Sequence, residues 1–260
     1  MLITLTTDFG LRDPFVGIMK GVIAGINPQA RVIDLTHDIS PQDVLAGALT
    51  LRHSIRYFPR GTIHIAVVDP GVGSARRPIL VESDGNYFIG PDNGVLSLAT
   101  DALKPAQTVE LSNACYQLHP ASATFHGRDI FAPAAAHLSL GAPPAAFGPK
   151  LDSFVVLALP AARLQGNTLD GEIIYIDGFG NLFTNIEEND LPEQPGGCAA
   201  IAMGAIHVSG LSPNYAAAAG EKYVAVINSW GLLEIAVNRG NAQQNSGAKV
   251  GDKVKVVLGT

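Results

Sequence analysis

The chain has 260 residues, 47% hydrophobic and 15% charged, with 17 Lys and Arg against 23 Asp and Glu for a formal net charge of -6. A chain of this length and apolar content can bury a sizeable core, which excludes intrinsic disorder, and its acidic balance argues mildly against a nucleic-acid partner. No run is long enough to span a bilayer, and the amino terminus has no secretory signal pattern. Cys115 and Cys198 stand far apart without metal-ligand spacing. The expected setting is the reduced cytoplasm, away from a membrane.

Leu2 to Thr7 alternates as a first strand and ends at Asp8-Phe9-Gly10. Asp13-Pro14 follows as an expected N-cap and first helical residue. Phe15, Ile18, Met19, Val22, Ile23 and Ile26 then recur at helical spacing until Asn27-Pro28 stops them. A second unit repeats the plan, with a strand from Val32 to Leu35 running into Thr36-His37-Asp38. Ser40-Pro41-Gln42-Asp43 reads as a capping box for a helix carrying Val44, Leu45, Ala48 and Leu49.

The run Ile63 to Val68 is β-branched and nearly continuous, as expected of a strand covered on both faces. Asp69 emerges at its carboxyl end, where open α/β sheets place ligands, in the turn-forming stretch Pro70-Gly71-Val72-Gly73 that leads to Arg76 and Arg77. Asp84-Gly85 between Ile79–Glu82 and Tyr87–Ile89 predicts a hairpin and an antiparallel addition to the sheet. Gly90-Pro91-Asp92-Asn93-Gly94 predicts a tight loop before a short helix. Thr124 to Pro133 places His126, Arg128 and Asp129 ahead of an Ala-rich segment, with Asp129 expected as a helix N-terminal cap.

Composition shifts near Gly141-Ala142-Pro143-Pro144 and at Leu159-Pro160. Beyond Gly171 come short strands at Glu172–Ile176, Ala199–Ala202, Tyr223–Asn228, Leu232–Val237 and Val250–Val257, the pattern of a small sandwich or barrel. The expected architecture is an α/β amino-terminal domain over residues 1–158 with a mostly parallel sheet. A connecting segment follows over 159–170, and a smaller all-β domain over 171–260.

Taken singly, the polar residues at the strand ends are ordinary turn and cap formers. His37 and Asp38 with His126 and Asp129 could supply nitrogen and oxygen ligands for a divalent ion, as in a metal-dependent phosphohydrolase. Their spacing matches no metal motif, and no G-x-G-x-x-G follows the first strand, which counts against a Rossmann oxidoreductase. A nucleoside-binding module without turnover is a further alternative.

Taken together, six segments in order carry a specific signal. These are Thr7-Asp8-Phe9-Gly10 with Asp13, Val68 to Gly73 with Arg76, Gly90 to Gly94, Phe125 to Asp129, Asp177-Gly178-Phe179-Gly180-Asn181, and Asn228-Ser229. The chain resembles the S-adenosylmethionine hydroxide adenosyltransferase family, adenosine-forming hydrolases related to the fluorinating and chlorinating enzymes. The resemblance implies hydrolysis of S-adenosyl-L-methionine, no cofactor or metal, and a homotrimer with sites between the first domain of one subunit and the second of its neighbour. It implies that Asp8 holds the ribose hydroxyls and that Asp13, Asp177 and Ser229 hold the methionine amino and carboxylate groups. Asn181 would hold the adenine edge, with Phe183 and Tyr215 as aromatic contacts. Asp69, Arg76 and His126 match the set that marks the water-using members, whereas a halide pocket marks the halogenating ones. Trp230 stands where the latter have arginine. Arg77 and Arg128 read as loop supports.

Overall fold

Residues 1–100, 105–191, 198–217 and 222–259 are described by a computed structural model. The chain divides into two units, Met1–Leu157 and Ala158–Thr260.

The first unit is built on β1 (Leu2–Thr7), β2 (Arg31–Thr36), β3 (Ile63–Val67), β4 (Pro78–Ser83), β5 (Asn86–Pro91) and β6 (Gln107–Glu110). They form one sheet in the order β2-β1-β3-β5-β4-β6. The strands β2, β1, β3 and β5 are parallel, whereas β4 runs antiparallel to both β5 and β6. The sheet is therefore mixed, with three of its five described pairings parallel and the expected antiparallel part supplied by β4. Its hairpin comes from the predicted turn, where Asp84 (φ +48°) and Gly85 (φ +73°) adopt the positive angles that fold β4 straight back into β5.

Ile3, Leu5, Ile63, Ile65 and Val67 point to one face and pack with Val16, Met19 and Ile23 of α1 (Phe15–Ile26) and the alanines of α3 (Ala132–Ser139). Thr4, Thr6 and His64 alternate with them and are buried too, and α2 (Val44–Ser54) packs against β1 and β3. Covering both faces explains why β3 reads as an unbroken apolar run.

Several local expectations shift by a few residues. The first hydrogen bond of α1 runs from Ile18 N–H to the Pro14 carbonyl, so Pro14 is the N-cap and the exposed Asp13 caps nothing in that helix. The Ser40 capping box gives way to Asp43, whose carboxylate accepts from Ala46 N–H at 2.9 Å. The helix expected after Gly94 is a series of turns, held by Ser97 Oγ donating to the Gly94 carbonyl. Asp129 lies inside a π-turn, Gly127–Phe131, that leads into α3, so it caps no helix start.

The second unit holds β7 (Arg163–Gln165), β8 (Thr168–Ile176), β9 (Leu182–Glu187), β10 (Cys198–Met203), β11 (Ile206–Val208), β12 (Val224–Ile227), β13 (Leu232–Ala236) and β14 (Lys253–Leu258). Its described pairings are antiparallel, in the order β11-β10-β14-β8-β9-β13-β12, with β7 beside β8. Residues 159–170, expected as a connection, instead supply β7 and the start of β8, joined through Gly166 at φ +62°. Nor is the unit all-β. Asn241 accepts from Gln244 N–H at 2.7 Å and Gly247 turns left-handed at φ +73°, which together delimit the helix α4 (Ala242–Ser246).

Candidate active site

The end of β3 delivers Asp69 into a loop whose turns are closed by Val72 N–H to the Asp69 carbonyl and Ser74 N–H to the Gly71 carbonyl. Gly73 sits at φ +76°, and a Cβ there would overlap the carbonyl oxygen of Ala123. Only a glycine lets this loop approach the segment before His126 so closely. Asn93 Nδ2 donates to the Val68 carbonyl at 2.8 Å and braces the same strand end.

That approach brings together three predicted residues from distant parts of the sequence. Arg76 Nε donates to Asp69 Oδ1 at 2.9 Å, and Arg76 Nη2 pairs with Asp69 Oδ2. The same Nη2 lies 2.8 Å from His126 Nδ1. The Arg76 and Asp69 side chains are 9% and 5% exposed, and the guanidinium lies over the Phe131 ring, 5.5 Å from its centroid. Among the described residues, Arg76 Nη1 is buried without a hydrogen-bond partner. A buried donor left over from a paired guanidinium is suited to a bound oxygen. Burial, then the Arg76 cation, hold the His126 imidazole below its usual range, and Asp69 and Asp129 pull the other way.

The Asp8 loop is tied down independently. Thr7 Oγ1 accepts from Phe9 N–H at 3.2 Å and is hydrogen-bonded to His37 Nδ1 at 2.9 Å. The other ring nitrogen, Nε2, lies 3.0 Å from Asp34 Oδ1, and Asp34 Oδ2 accepts from Lys20 at 2.6 Å. Against burial, Lys20 and His37 hold Asp34 below the usual carboxylate range. The Asp8 carboxylate accepts from Gln42 N–H at 2.8 Å.

The expected supporting role of the two other arginines has a direct counterpart. Arg77 pairs with Asp92, which also takes Val155 N–H at 2.7 Å. Arg128 grips Asp129, which takes Ser122 N–H at 2.8 Å. His37 and Asp129, offered above as metal ligands, are thus engaged elsewhere. Among the described residues, no three His, Cys, Asp or Glu side chains converge as a metal site would require.

In the second unit, Asp177 follows β8 and opens a tight turn into β9. Its Oδ1 takes Phe179 and Asn181 N–H, each at 2.9 Å, while its Oδ2 takes Asn181 Nδ2 at 3.0 Å. Phe183 packs edge-on against Tyr175 and Trp230, with centroids 5.5 and 5.0 Å away. Ser229 is exposed in the turn between β12 and β13, where Asn228 Oδ1 accepts from Trp230 and Leu232 N–H. Tyr215 donates its hydroxyl to Glu234 Oε1 at 2.9 Å. Sequence reasoning passed over Glu234, which is only 1% exposed within β13. Burial and the nearby Asp177 carboxylate raise its pKa, while the Tyr215 hydrogen bond opposes them.

Family models for the SAM hydroxide adenosyltransferase N-terminal and C-terminal domains match residues 3–148 and 171–255. The chain belongs to the SAM hydroxide adenosyltransferase family. It is 40% identical over 260 residues to an (R)-S-adenosyl-L-methionine hydrolase of Salinispora tropica, covering 99% of this chain and 98% of the relative. More distant relatives include a fluorinase of Actinoplanes sp., 30% identical over 217 residues and covering 73% of each chain. The crystal structure of a conserved protein from Thermotoga maritima superimposes with a TM-score of 0.91 at 34% identity, covering 99% of this chain and 100% of that one.

Proposed function

We propose that the protein hydrolyses S-adenosyl-L-methionine to adenosine and L-methionine by in-line attack of water on ribose C5′. The contact of Asp69, Arg76 and His126 at one strand end carries this reading, because it leaves a buried Arg76 N–H without a partner beside a carboxylate and an imidazole, a grouping suited to a small oxygen nucleophile. The family and its hydrolase relatives supply the substrate.

The chemistry asks little of the leaving group. A sulfonium departs as a neutral thioether, so no general acid is required. The demand falls on water. Bringing its pKa from about 15.7 to about 7 would take on the order of 12 kcal/mol, too much for one arginine and one histidine to supply. Water held in line and losing its proton as the bond forms fits better, since placement alone contributes roughly 7–11 kcal/mol. A water-poor pocket helps further, because the positive charge of the sulfonium disperses in the transition state.

In this proposal Asp8 holds the ribose hydroxyls, Asp13, Asp177 and Ser229 the methionine end, and Asn181 the adenine edge, with Phe183 and Tyr215 as flanking rings. The working form is a homotrimer in the cytoplasm with sites shared between subunits. Its partner is a small molecule rather than nucleic acid.

Incubation with S-adenosyl-L-methionine in 18O-water tests the reaction. Label on the 5′ oxygen of adenosine is the expected result, with no 5′-chloro nucleoside in excess chloride. Label confined to a carboxylate, or no adenosine without halide, overturns it.

A further inference from the structure

The hydrogen-bonding role of one His126 nitrogen is dictated by its partner. A guanidinium carries five N–H donors, has no acceptor and stays charged in proteins. The 2.8 Å contact from Arg76 Nη2 therefore needs a lone pair on His126 Nδ1. An imidazole with a bare Nδ1 is neutral and carries its hydrogen on Nε2. Arg76 is held in this orientation, since Asp69 engages both its Nε and Nη2 and the Phe131 ring lies beneath it.

From this geometry we infer that His126 is a fixed Nε2–H donor that orients the attacking water, and that Asp69, not His126, takes the water's proton. The inference rests on the hydrolase reading above. For His126 to act as base, the proton would have to enter at Nδ1. That would break the Arg76 contact and set two cations against each other. The charged groups facing the ring are Arg76, Asp69 and Asp129, and Asp129 is already gripped by Arg128.

The step balances without a histidine base. The Nε2–H donor occupies one lone pair of the water and leaves the other to C5′. As the O–C5′ bond forms, the C5′–S bond breaks with its electron pair going to sulfur, and methionine leaves neutral. The oxygen, becoming a protonated alcohol, is then a strong acid. A carboxylate is base enough to remove its proton.

Two measurements test this, one independent of turnover. With 15N-histidine labelling, NMR of the free protein should show His126 Nδ1 as a bare ring nitrogen and Nε2 as N–H. The signal is assigned by its loss in His126→Gln. In kinetics, the Gln amide nitrogen replaces the Nε2–H donor but cannot accept a proton. Its kcat should fall by about 10-fold, against about 10²-fold or more for His126→Ala, the scale of a misplaced reacting group. A hydrogen on Nδ1, or equal losses for Gln and Ala in folded variants, overturns the inference. Wild-type protein that makes no adenosine overturns the hydrolase reading instead, and leaves the NMR result to decide the tautomer.

Discussion

Gln42 donates its backbone N–H to the Asp8 carboxylate at 2.8 Å while its own φ is +67°, in the left-handed region that side-chain-bearing residues rarely adopt. The chain enters α2 through this residue, so the helix start and the Asp8 loop share one strained hinge. Gln42→Val adds a β-branched side chain to that conformation and should lower stability by about 1–3 kcal/mol, whereas Gln42→Gly should be tolerated. Urea denaturation of the two variants provides the comparison. Equal midpoints would show that the left-handed backbone is not under strain.

Arg76 both pairs with Asp69 and reaches His126, which needs the planar fork of a guanidinium. Lysine keeps the charge but cannot make the paired contact. Arg76→Lys should therefore reduce kcat by about 10²-fold with KM little changed, as for a group that acts on the nucleophile. An equal loss of binding and rate would mark Arg76 as a substrate ligand.

In the second unit the exposed Tyr215 ring donates its hydroxyl to the buried Glu234, and partial burial together with the Glu234 bond pushes the Tyr215 hydroxyl up to about 12. The folded carboxyl of Glu234 has a pKa raised above its unfolded value. It therefore binds more protons folded than unfolded between those two values, and stability falls as pH rises through that window. Glu234→Gln removes this slope, so its stability relative to wild type should improve from acid toward neutral pH. Denaturation midpoints at several pH values give the test, and parallel wild-type and variant curves count against it.

The candidate ligands divide between the two units, with Asp8, Asp13, Asp69, Arg76 and His126 in the first and Asp177, Asn181 and Ser229 in the second. If sites are shared between subunits of a closed ring, co-expressing Asp69→Ala and Asn181→Ala chains should restore part of the activity lost in each parent. Verified mixed oligomers with no activity above either parent would assign each site to one chain.

The sequence by itself determined the pieces whose cause is local. The apolar run of β3, the helical spacing of α1 and the Asp84-Gly85 hairpin are legible because backbone propensity and side-chain period act within a few residues. The exact caps were not, since Pro14 and Asp43 were selected over Asp13 and Ser40 by which carbonyl or carboxylate the folded chain brought within reach. Strand β9 escaped because it begins directly after the Asp177–Asn181 turn motif, which was read for its polar residues. The candidate site residues could be named as a set only through resemblance to a family, and the mutual contact of Asp69, Arg76 and His126 could not be read at all. Arg76 and His126 are 50 residues apart, and they meet because Gly73 allows one loop to press against another. Glu234 stayed hidden for the same reason. It sits in an apolar strand, and its partner Tyr215 is 19 residues away in the sequence. Hydrogen-bond direction, burial and proton location belong to such long-range contacts, which only the tertiary structure decides.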